Sequence, residues 1–160
     1  MNLFTRLKSA ILTQAKGPQL TRLLNLYPPY LGAGVRIREL GPFGFESSMA
    51  LHPWNRNYFG THFGGSLYSM CDPFFALILA RNLGPGYVVW DKSATIRFKK
   101  PGVGVVSARF EISPERVEEI RREVAERRKL EPAFTTEVRD AQGEVIAQVE
   151  KLLYVRRAKE

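Results

Sequence analysis

The chain has 160 residues, with 24 Lys+Arg against 16 Asp+Glu for a formal net charge of +8, and it is 44% hydrophobic and 25% charged. That length and balance favour one domain over 1–160, able to bury roughly 70% of the surface of its unfolded chain, and exclude disordered and fibrous classes. The lone cysteine, Cys71, excludes an internal disulfide framework, and with His52 and His62 it has none of the paired spacings of a zinc site, so no metal is expected.

Leu3, Phe4, Leu7, Ile11 and Leu12 recur near helical spacing before Gly17-Pro18, and Thr21 to Tyr27 predicts a second short helix stopped by Pro28-Pro29. Residues 1–30 thus read as a helical extension, with packing on the domain's own sheet favoured about threefold over a membrane surface. From Val35 the chain alternates, with Val35, Ile37 and Glu39 on one side; Gly41-Pro42 then turns into Phe43 to Leu51, the pattern of a hairpin. Residues 52–64 are loop-like. Gly65 to Arg81 is nearly all apolar, and Leu67, Cys71, Phe74 and Ile78 share a stripe, which predicts one central helix over 65–81 with a kink at Pro73.

Beyond Gly84-Pro85-Gly86, Tyr87 to Lys99 and Val103 to Ile112 read as strands around Pro101-Gly102. Ser113-Pro114-Glu115 starts a surface helix running to about Lys129, whose apolar stripe is only Val117, Ile120 and Val124. Phe134 to Arg139 and Glu144 to Val155 form a last hairpin around Ala141-Gln142-Gly143. The order predicts an α+β fold: an antiparallel sheet of five to six strands wrapped around a central apolar helix.

No apolar run approaches the roughly 18 residues that span a bilayer, and Ser9 to Leu12 is too short for a signal-peptide core, so a cytoplasmic, reduced, soluble protein is expected. The charge is uneven. Residues 1–110 carry 13 basic and four acidic side chains, net +9, while 111–160 are net −1. A basic surface favours an anionic partner. Nucleic acid is disfavoured, because the chain lacks an RNP-type strand, a zinc finger and a strongly basic groove helix. Arg97, Lys99 and Lys100 would suit the phosphates of coenzyme A, with a solvated surface at about even odds.

Chemistry concentrates in Asn57-Tyr58-Phe59-Gly60-Thr61-His62-Phe63-Gly64-Gly65 and the apolar run that follows. Gly64 and Gly65 stand at a helix start, where free backbone N–H groups and the dipole can bind a carbonyl oxygen or oxyanion and glycine permits close approach. Asp72 lies on a stripe of small residues with Gly65, Ser69 and Ala76. A carboxylate among apolar neighbours needs a partner.

These residues, NYFGTHFGGSLYSMCD over 57–72 and ATIRFKKPG over 94–102, together with the element order over roughly 40–155, resemble the hot-dog fold, specifically the PaaI-like acyl-CoA thioesterases and an uncharacterised branch beside them. The resemblance implies that Asp72 is the general base or nucleophile, that Asn57 positions the attacking water or the carboxylate, and that the Gly64 N–H polarises the thioester carbonyl. It implies an acyl-CoA or acyl-carrier thioester as substrate, with coenzyme A part of that substrate and no separate cofactor. It also implies homodimers, often paired into tetramers, with Asp72 acting on an acyl group held by the other subunit's Gly64.

Gly65, His62, Phe63, Asp91 and Ser69 complete the candidate site as substrate-binding residues. The family often has His directly before the glycine pair; Phe63 stands there and His62 one residue earlier, so His62 takes no family role. Asp91 lies near where related enzymes carry a small hydroxyl residue, and is either catalytic or paired with Lys92 or Arg97. Bland readings stand beside these. Asp72-Pro73 can be a helix N-cap signal, Asn57 a loop residue bonding its own backbone, and the glycines a packing device. A Cys71-His62 hydrolase is disfavoured, since a lone Cys in an apolar helix is usually inert core. The second functional class is a non-catalytic acyl or lipid binder, in which Phe63 and Pro73 have removed turnover.

Overall fold

The computed structural model describes residues 18–158. The helix expected over residues 3–14 lies outside them. The extension that follows is two short helices, α1 (Pro18–Asn25) and α2 (Pro28–Ala33). Pro28-Pro29 therefore opens a helix where the sequence predicts a stop: at the first helical positions the missing N–H has no intrahelical acceptor to lose. Leu20 and Tyr30 are buried. Asn25 grips the first strand like a strand neighbour, donating to Ile37 O at 2.9 Å and accepting from Ile37 N at 2.9 Å.

The strands are β1 (Val35–Gly41), β2 (Gly44–Ala50), β3 (Tyr87–Phe98), β4 (Val105–Glu111), β5 (Lys129–Leu130), β6 (Ala133–Asp140) and β7 (Val145–Arg157). They form one sheet of order β1-β2-β4-β6-β7-β3, with β5 paired to β7 and every pairing antiparallel. The seventh strand is the two-residue β5, which takes over at Lys129 where the sequence extends a helix; that helix, α5 (Pro114–Arg127), ends one residue earlier at Arg128, whose φ is +66°. Ser113 caps α5, its Oγ accepting from Arg116 N at 3.2 Å.

The expected single helix over 65–81 is two: α3 (Gly64–Ser69) and α4 (Phe74–Leu83), separated by a turn containing a cis Asp72–Pro73 peptide. Proline has no N–H for the helical ladder, and its ring clashes with the preceding turn, so the chain breaks rather than kinks. Apolar spacing passes through the break because both sides are core: Leu67, Met70, Cys71, Phe74 and Ile78 are all buried. The inner face of the sheet closes over α4, with Phe74 packed against Tyr30, Phe45 and Phe110. Each such ring contributes about 2–3 kcal/mol on burial. Arg81 at the end of α4 pairs with Glu39 at 2.6 Å and anchors it to the β1–β2 turn.

Strand β3 has a neighbour only on its β7 side and is largely exposed. Its register shifts at Lys92, between Asp91↔Leu153 and Ser93↔Leu152, so Asp91, Ala94, Ile96 and Phe98 all stand opposite inward-facing β7 residues.

Candidate active site

The break between α3 and α4 presents Asp72. Its carboxylate is 2.5 Å from Lys151 Nζ on β7, and Asp91 on β3 is 3.3 Å from the same ammonium. Lys151 also donates to Tyr68 Oη at 3.1 Å and lies 4.9 Å from that ring's centroid. The Lys151 side chain is 1% exposed, Asp91 22% and Asp72 42%, so the cluster runs from a dry ammonium to a carboxylate open to solvent. Burial opposes the charge on Lys151, but its bonds to Asp72 and Tyr68 and the charges of Asp72 and Asp91 outweigh it, holding the group above the ordinary lysine range. Burial, and then a hydrogen bond with Asp72, push the Asp91 carboxyl up to about 6 against the pull of Lys151. Helix α4 does start directly after Asp72-Pro73, as the helix-start reading has it, but its N-cap position is Pro73 with no side-chain cap bond, and the Asp72 carboxylate is taken by Lys151.

Eight residues earlier, α3 begins on the glycine pair. Ser66 and Leu67 N–H both go to Phe63 O, which leaves the Gly64 and Gly65 N–H groups without an intrahelical acceptor. Gly64 lines a cavity of about 500 Å³ together with Asn57, His62, Leu67, Phe98 and Gly102. A Cβ at Gly64 would stand 3.0 Å from the Phe98 ring, and one at Gly65 2.5 Å from the ring of Phe63, so both glycines let an aromatic lie on the backbone. Phe63 itself is largely exposed.

Asn57 uses its whole amide within the loop. Its Oδ1 accepts from Phe59 N and Thr61 N, and its Nδ2 donates to Thr61 Oγ1 and His62 O. The loop-bracing reading therefore describes this side chain in the single chain. His62 is buried, with Nε2 3.0 Å from Gly104 O and its edge against Gly102. Burial pulls its imidazole below the ordinary value. Ser69 ends α3, half-buried, and its carbonyl accepts from Asp72 N at 3.2 Å. Cys71 is fully buried with its thiol pushed up to about 12, which leaves no thiolate for a Cys-His reaction.

Of the basic cluster, Arg97 pairs with Glu150 and Lys100 with Glu144 and Asp140; Lys99 alone has no carboxylate partner among the described residues. No group of three or more potential ligands placed to hold a metal occurs among the described residues, and no described helix is long and apolar enough to cross a membrane.

Residues 18–155 match the family described as Domain of unknown function (DUF4442). The chain belongs to the DUF4442 family. Among solved structures, this DUF4442 chain is similar to a Pseudomonas aeruginosa protein of unknown function called a probable thioesterase, at 26% identity, with 99% of each chain covered and a TM-score of 0.72. It is also similar to a Haemophilus influenzae thioesterase at 16% identity, covering 92% of this chain and 95% of the other, with a TM-score of 0.67. A Chlorobaculum tepidum protein of unknown function follows at 15% identity, 93% and 99% coverage and a TM-score of 0.69. The curated proteins give no match. The fold is the hot-dog fold that the sequence resembles.

Sequence reasoning about this DUF4442 chain missed Lys151, and read Tyr68 only as one of the aromatics around an apolar or aryl pocket rather than as a partner of that lysine. The signal for Lys151 was present: Val149, Lys151, Leu153 and Val155 alternate as one buried series, and a lysine inside such a series requires an internal anion.

Proposed function

We propose that this protein hydrolyses acyl thioesters as a homodimer, with Asp72 as general base or nucleophile and the Gly64 N–H polarising the thioester carbonyl. The observation that carries the reading is Asp72 itself, a carboxylate that meets solvent on one side and a buried ammonium on the other. Lys151 fixes where that carboxylate points, and its solvent-facing side leaves it open to water or substrate. In the base mechanism Asp72 takes a proton from water, the oxygen attacks the carbonyl carbon, negative charge collects on the oxygen facing Gly64, and the C–S bond breaks to release the thiol. That a protein similar over its whole length is called a probable thioesterase supports this chemistry.

Distance supports the dimer. Gly64 and Asp72 lie at opposite ends of α3, on the order of 10 Å apart by helical rise, whereas donor and base must each come within about 3 Å of one reacting group. Asp72 does not line the cavity at Gly64. A two-fold pairing that lays one α3 antiparallel to another would bring each Gly64 to the partner's carboxylate. The unpaired edge of β3, twelve residues long with Trp90 and Phe98 exposed, is the surface that fits such a pairing.

The test is thiol release from short, medium, long and aryl acyl-CoA thioesters by the parent and by Asp72→Asn. The variant is expected to lose about a hundredfold or more in kcat, the usual consequence of removing a general base. Absence of turnover on every thioester, with acyl-CoA still bound, would replace the hydrolase by an acyl-binding protein.

A further inference from the structure

Lys151 is the one Lys or Arg among the buried residues of the described chain. An ammonium removed from water is unfavourable unless it is paired, and hydrophobic residues of like volume would serve the sheet as well. The position also draws in more than one partner. Lys151 is met by Tyr68 from α3, by Asp72 from the turn after it and by Asp91 from β3. The β3 irregularity at Lys92 turns Asp91 inward while leaving Ala94, Ile96 and Phe98 on the same face. Asp91 Oδ1 is buried with no hydrogen-bond partner among the described residues.

Building on the hydrolase reading above, we propose that Lys151 is a positioning residue for Asp72 and that Asp91 is the second anchor of its ammonium. One cation then faces two carboxylates. Burial and Asp72 raise the Asp91 carboxyl while Lys151 pulls it down, so loss of the ammonium raises it further. The other titratable groups facing the cluster stay protonated through the neutral range: burial raises the Cys71 thiol to about 12, and it raises the phenol of Tyr30, whose hydroxyl bonds Asp72 O. The pH response near 6 therefore belongs to Asp91. Lys151 touches no reacting atom in this scheme; it acts through the carboxylate it holds.

The experiment has two arms. Thioester kinetics across pH 4.5–9 compare the parent, Lys151→Met and Asp91→Asn, each checked for parental circular dichroism. Lys151→Met is expected to lower kcat about thirtyfold with KM within about twofold, and Asp91→Asn to remove the inflection near pH 6 from kcat/KM. The second arm needs no substrate. Carbon-13 carboxyl NMR is expected to place the Asp91 midpoint near 6 in the parent and about a unit or more higher in Lys151→Met. If Lys151→Met fails to fold, Lys151→Gln decides by the same shift of the Asp91 midpoint. Folded variants with parental kcat, pH profile and carboxyl midpoints overturn the inference. Absence of turnover in the parent overturns the hydrolase reading instead, and the NMR arm then decides alone: an Asp91 midpoint near 6 that rises on loss of Lys151 supports the cluster, and one that does not move overturns it.

Discussion

Asp91 has a stability consequence separate from any reaction. Its carboxyl, ordinarily near 3.8, is pushed up to about 6 by burial and by Asp72, so between about pH 4 and pH 6 the folded chain binds a proton that the unfolded chain has lost. Stability at this group therefore falls as pH rises through that window. Urea midpoints at pH 4, 5, 6 and 7 are expected to show this decline in the parent and a flatter profile in Asp91→Asn. Reading the cluster from sequence was only half possible. Asp72 declared itself as a carboxylate in an apolar run, and Lys151 by its place in an alternating strand. Asp91 was a candidate, but its partner was not legible: Lys92 pairs with Glu131 and Arg97 with Glu150, and the ammonium that Asp91 meets lies on β7, a pairing no local residue type encodes.

The helices divide by what stabilises them. Helix α5 is a surface helix with a three-residue buried stripe and a side-chain cap, whereas α4 is core with six buried residues. Ser113→Ala is expected to cost about 1 kcal/mol, the value of one N-cap bond. Phe74→Ala, which empties a site walled by Tyr30, Phe45 and Phe110, is expected to cost about 3–5 kcal/mol. Chemical unfolding of the two variants measures both. The α5 start was legible because Ser, Pro and Glu act within one turn. The α3–α4 break was not, because periodicity measures burial, and the residues on both sides of Pro73 are buried whether the chain is helical there or not.

At the scale of the whole molecule, the separation of Gly64 from Asp72 makes a composite site testable by mixing. Gly64→Val places a branched side chain against Phe98, and Asp72→Asn removes the base; each homodimer is expected to be inactive. Unfolded and refolded together, they form heterodimers in which one of two sites pairs an intact Gly64 with an intact Asp72, so about a quarter of parental activity should return. Sites contained within one chain would return none. Activity of the mixture and its sedimentation coefficient check both halves of the expectation.

Both hairpins, the cap of α5 and the glycine pair at the start of α3 were determined by the sequence, because each depends on residues within a few positions of one another. The pairing of β3 with β7 joins residues more than 45 positions apart at its closest point, and no local pattern encodes such a contact. That pairing, with the break at Pro73, decided what Asp72 faces. The tertiary structure thus supplied the ammonium and joined both carboxylates to it, because a charge can be held inside a sheet only where strands distant in sequence bring its partners to it.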